Sequence, residues 1–109
     1  MERKIMEEQR KFDRFETELD AVIVAADDTR YECRVVEVSR DGLRLHLPDK
    51  LRFGQKLHID IALPAPVQAE LLLRWTKQVY DDREYYAAGA EIIMISDADR
   101  ELLLGCVDT

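Results

Sequence analysis

A chain of 109 residues has room for one domain with a core of its own. With 47% hydrophobic and 36% charged residues it is a soluble globular chain, not a disordered one. No apolar run approaches the ~20 residues of a membrane-spanning helix. The net charge of −7 argues against non-specific binding to DNA or RNA, because binding a nucleic-acid backbone rests on Lys and Arg neutralising phosphates. A small anionic ligand fits that charge where arginines cluster locally.

Residues 1–16 are dense in charge of both signs, and Ile5 and Phe12 hint at only a weak apolar stripe. This segment reads as a flexible N-terminal arm, with the folded domain over 17–109. From Thr17 the pattern turns to period two. Leu19, Ala21, Ile23 and Ala25 alternate as a first strand, and Asp27-Asp28 mark a turn. Tyr31 to Ser39 predicts a second strand, with a phase slip at Val35-Val36. Gly42 to Leu47 predicts a third, in which Leu43, Leu45 and Leu47 face one way and Arg44 and His46 the other. Pro48-Asp49-Lys50 breaks the chain. Leu57, Ile59, Ile61 and Leu63 form a fourth strand, and Val67, Ala69, Leu71, Leu73 and Trp75 a fifth. By that alternation Trp75 shares the core phase of Leu71 and Leu73. Asp81-Asp82-Arg83-Glu84 is a polar loop before a sixth strand, Tyr85 to Ile95. Ser96 or Asp97 caps a closing helix whose Leu run packs it down and which Gly105 ends. The fold class is therefore all-β with one helix: a six-stranded antiparallel β-barrel plus a C-terminal α-helix.

Enzymatic chemistry has little to rest on. His46 and His58 both sit in polar strand phases and read as solvated face residues. Cys33 lies in an apolar phase and reads as core. The spacings of zinc sites and of phosphate-cradling loops are absent, so neither a metal nor a cofactor is expected. The two cysteines, with no signal peptide ahead of them, read as reduced thiols in a cytoplasmic protein.

Two clusters stand out. The first is Arg10-Lys11-Phe12-Asp13-Arg14, just ahead of the first strand. On its residues alone it is a charged tail whose arginines pair with Glu7, Asp13 or Glu16. The second is Glu37-Val38-Ser39-Arg40-Asp41-Gly42, between the second and third strands. On its residues alone it is a bulged hairpin with Gly42 supplying a positive φ.

Taken together the clusters resemble the PilZ domain, a bacterial receptor module for cyclic di-GMP. Its pattern is Arg-x-x-x-Arg before the first strand, then Asp or Asn-x-Ser-x-x-Gly after the second. Arg10 and Arg14 fill the first motif. Ser39 and Gly42 fill two of the three fixed places of the second, and Glu37 stands where the family has Asp or Asn. Trp75, the "AAGAEI" strand and the "DADRELLL" helix also look like the family.

The resemblance implies a ligand site of Arg10, Arg14, Glu37, Ser39, Gly42 and Trp75. Arginine suits cyclic di-GMP because its planar fork can pair with guanine O6 and N7 or with phosphate, and can stack on a purine. Glu37 would accept from guanine N1–H and N2–H₂, and Trp75 would offer a stacking face. The implied function is a receptor, not an enzyme, that signals to a downstream protein partner through a ligand-ordered arm. The alternative is a divergent PilZ-like interaction module that has lost the nucleotide.

Overall fold

The computed structural model describes residues 14–52, 54–80 and 84–107. Period-two patterning becomes six strands: β1 (Arg14–Val24), β2 (Arg30–Ser39), β3 (Gly42–Leu47), β4 (Lys56–Ile61), β5 (Val67–Tyr80) and β6 (Glu84–Ile95), followed by the helix α1 (Asp97–Val107). They close into a barrel in the order β1-β2-β3-β6-β5-β4, with every pairing antiparallel.

The interior is filled by the in-phase apolar residues of every strand. Ile23, Val35, Leu45, Ile59, Leu71 and Leu73 are fully buried, and no polar or charged residue is buried among the described residues. Each such side chain contributes roughly 1.5–3 kcal/mol by leaving water. The helix α1 lies against β5, β2 and β1 and drives Leu103 into the core. Ser96 caps it, its Oγ accepting from the Asp99 backbone N–H at 3.0 Å. The Asp99 carboxylate in turn accepts from the Gln68 N–H at 3.1 Å, which ties the first helical turn to the start of β5.

Bulges decide which way the site residues point. Val35 pairs with Leu45 but Glu37 pairs with Arg44, so Val36 is an extra residue in β2. This is the phase slip seen in the sequence, and it lets Val35 and Val38 both face the core. A second bulge in β1 lies between Glu16 and Leu19. The strand starts at Arg14 rather than at Thr17. Arg14, Phe15 and Glu16 pair with Ser39, Val38 and Glu37 ahead of the bulge, and Phe15 keeps the inward phase of Leu19, Ala21 and Ile23.

A third bulge corrects the expectation for Trp75. Leu73 pairs with Ala90 and Trp75 with Gly89, so Arg74 is the extra residue of β5. The bulge turns Trp75 out of the core phase, and it is 40% exposed. Two glycine expectations also change. The helix runs through Gly105 instead of stopping there. Gly42 does not take a positive φ; among the described residues only Asp28 and Gly54 do. Gly42 is small because a Cβ there would stand 3.0 Å from the Ala90 carbonyl oxygen, where β3 crosses close to β6.

Candidate functional site: a cleft at the rim of the barrel

Strand register brings the two motifs together. Arg14, the first residue of β1, pairs directly with Ser39, the last residue of β2. Gly42 opens β3 opposite Glu91. The bulge at Arg74 swings Trp75 to the same side. Arg14, Glu37, Ser39, Gly42 and Trp75 therefore line one open cleft of about 310 Å³. Arg10 lies outside the described residues.

The β2–β3 corner that forms one wall is tied down at successive carbonyls. The Ser39 hydroxyl donates to the Gly42 carbonyl at 3.2 Å, and the Ile92 N–H donates to the Asp41 carbonyl at 2.8 Å. The opposite wall is the indole of Trp75, laid across Gly89. A Cβ on Gly89 would overlap the ring, so glycine is what lets the indole lie flat on β6.

The cleft also holds residues that sequence reasoning missed. Arg44 and Arg74 add two arginines to Arg14, and Asp41 and Glu91 add two carboxylates to Glu37. Arg44 Nη2 is 3.7 Å from Glu37 Oε1, and its guanidinium carbon lies 5.8 Å from the centre of the Trp75 ring, within cation–π reach. Arg74 Nη1 is 2.9 Å from Glu91 Oε1. Arg44 was legible as a polar-phase residue beside the corner. Arg74 was not, because its direction depends on a bulge.

The arrangement gathers planar cations, carboxylate acceptors, a hydroxyl and an aromatic face at one rim. It is suited to a flat, partly anionic ligand. It is unlike a nucleophile–base constellation. Cys33 lies outside the cleft, and burial pushes its thiol up to about 12, which leaves it a poor nucleophile. It is a free cysteine. No cluster of three or more metal-ligating side chains occurs among the described residues. No helix among them is long and apolar enough to cross a membrane.

His58 is more than a solvated face residue. Its Nδ1 lies 2.7 Å from Glu70 Oε2 and its Nε2 lies 3.3 Å from Asp60 Oδ1. The bond to Glu70, helped by Asp60 against partial burial, raises its pKa. His46 packs against Tyr85 with ring centres 4.5 Å apart and planes tilted by 41°. Burial, then the charges of Arg44 and Arg34, lower its pKa.

Comparison with known proteins gives a consistent picture. The fold is similar to that of the inhibitor of motility MotI/DgrA of Bacillus subtilis, with TM-score 0.72 and 22% identity over 87% of this chain and 47% of that one. It is similar to K. pneumonia MrkH, with TM-score 0.71 and 13% identity over 85% of this chain and 44% of that one. It is also similar to the PilZ domain of YcgR from Escherichia coli with c-di-GMP, with TM-score 0.70 and 14% identity over 99% of this chain and 90% of that one. The chain thus spans less than half the length of the first two structures. Among curated proteins no match is found. The family model of the PilZ domain matches residues 8–109, nearly the whole sequence, and the chain belongs to the PilZ domain family.

Proposed function

We propose that this chain is a cyclic di-GMP receptor domain acting in the cytoplasm as a regulatory binding module rather than an enzyme. The observation that carries this reading is the convergence of Arg14, Glu37, Ser39, Gly42 and Trp75, drawn from four strands, on a single cleft. The solved PilZ domain of YcgR holds c-di-GMP, which supports the choice of ligand.

In this reading Arg14 pairs with a ligand phosphate or the Hoogsteen edge of guanine. The Ser39 hydroxyl, donating to the Gly42 carbonyl, keeps its lone pairs to accept from a base edge, and it donates to a phosphate only by exchanging that bond. Trp75, backed by Gly89, offers its face to a purine, a contact worth ~1–3 kcal/mol per base. Glu37 accepts from the guanine N1–H and N2–H₂, for which it must exchange its pairing with Arg44. Arg44, once released, is free to turn toward the ligand's negative charge. Arg10 closes over the nucleotide from residues 1–13, and the ligand-ordered arm is the surface read by a downstream protein partner.

The test is titration calorimetry of the chain with cyclic di-GMP, alongside Ser39→Ala and Arg14→Ala. Saturable binding that both substitutions weaken supports the receptor. The Glu37–Arg44 pairing favours one second reading, in which the acceptor stays committed to its arginine and the domain serves only as a protein-interaction module. Absence of binding at high micromolar ligand overturns the receptor reading and leaves the second.

A further inference from the structure

The corner that carries Ser39 and Gly42 is held by the C-terminal helix as well as by its own strands. Arg100, on the first turn of α1, donates from Nη1 to the Arg40 carbonyl at 2.8 Å. The same nitrogen stands 3.6 Å from Asp41 Oδ1. The Arg100 side chain is only 27% exposed, whereas the Asp41 side chain is 83% exposed and lines the cleft. Three successive carbonyls of the corner are thus held from three directions: Arg40 by α1, Asp41 by β6 and Gly42 by the Ser39 hydroxyl.

The geometry points to Arg100 as a positioning residue for the ligand cleft, acting through the corner without entering the site. It has two effects. Its hydrogen bond fixes the Arg40–Asp41 peptide, so the Ser39 hydroxyl and the Gly42 backbone stay at the rim. Its charge offsets the Asp41 carboxylate, which otherwise opposes any anionic ligand in the cleft. Without Arg100 the corner loses a backbone anchor and the cleft gains an uncompensated negative charge. Charge-assisted hydrogen bonds of this kind are the stronger ones.

This inference rests on the receptor reading for its ligand, but its mechanical half is testable without one. Asp99 supplies the control. Its carboxylate pins the same helical turn to Gln68, at the start of β5 instead of the corner. Cyclic di-GMP affinity is measured for the parent, Arg100→Ala, Asp99→Ala and Arg100→Ala/Asp41→Asn. Arg100→Ala is expected to bind about tenfold more weakly. Asp99→Ala stays close to the parent, and the added Asp41→Asn recovers a substantial part of the loss. A general weakening of the helix does not produce that recovery. In the ligand-free protein, hydrogen exchange at residues 40–42 speeds up in Arg100→Ala and not in Asp99→Ala. Arg100→Ala that exchanges and binds like the parent, or Asp99→Ala that matches it in both, overturns the inference. A parent that binds no nucleotide overturns the receptor reading instead, and the exchange measurement still decides the role of Arg100.

Discussion

Glu37 has its carboxylate 3.7 Å from Arg44 and only 21% of its side chain exposed. The longer side chain reaches that arginine, and a shorter one at the same position falls back toward the corner. Glu37→Asp is therefore predicted to tighten cyclic di-GMP binding by ~0.5–1 kcal/mol, since Arg44 is released in advance and fewer rotamers are frozen. Glu37→Ala weakens it by leaving guanine donors unpaired. Calorimetry at one salt concentration separates these outcomes, and weaker binding by Glu37→Asp shows that the longer acceptor is the one that fits. Gly89→Ala tests the opposite wall. The new methyl displaces the Trp75 indole, so affinity falls, and the fluorescence of this single tryptophan shifts even without ligand. Arg14 and Ser39 were legible because they sit at strand ends, where motif and spacing show directly. Trp75 was legible as a site residue only through the family resemblance, since Leu71, Leu73 and Trp75 keep perfect alternation in sequence and the period alone puts the ring in the core. Only the bulge at Arg74, set by pairing with β6, turns the ring outward. Gly42 was legible as a needed glycine but for the wrong cause, because its neighbour Ala90 is distant in sequence.

Each strand and the helix were legible from period and capping, while the bulges that orient them were legible only at Val36. There the slip breaks a β-branched apolar run within one strand, so it leaves a trace in sequence. At Glu16–Leu19 the residues are mostly polar on both faces and leave none. The helix α1 is anchored by Leu103, the one described α1 residue that is fully buried. Leu103→Ala is predicted to cost ~2–5 kcal/mol and to lower the melting temperature accordingly. The β4–β5 pair carries a pH-dependent contribution through His58. Its folded pKa is raised, chiefly by Glu70, above the ordinary histidine value of 6.5. Its stabilisation is therefore fully present below that value and is lost as pH rises through the folded pKa. The melting temperature of the parent relative to His58→Gln is expected to be higher at about pH 5.5 than at about pH 8.5. An equal difference at both ends contradicts the Glu70–His58 pairing.

Across the whole molecule, an acidic chain concentrates three arginines of one rim cleft among a matching set of carboxylates. That balance disfavours sequence-independent binding to a polyanion but suits a compact ligand that can exchange the internal ion pairs for its own. The closed barrel carries those residues on its strands, apart from Asp41 in the β2–β3 corner. The most direct measurement is cyclic di-GMP affinity of the parent beside Arg14→Ala and Arg14→Lys, at fixed salt, with melting temperatures in parallel. Arg14 is exposed at the first residue of β1, so all three chains are expected to melt alike. The parent binds saturably. Arg14→Ala loses ~1.5–3 kcal/mol, and Arg14→Lys is also weak because a point charge cannot replace the planar fork. Equal affinity in all three, or no binding by the parent at high micromolar ligand, contradicts a nucleotide site at the junction of β1 and the β2–β3 corner.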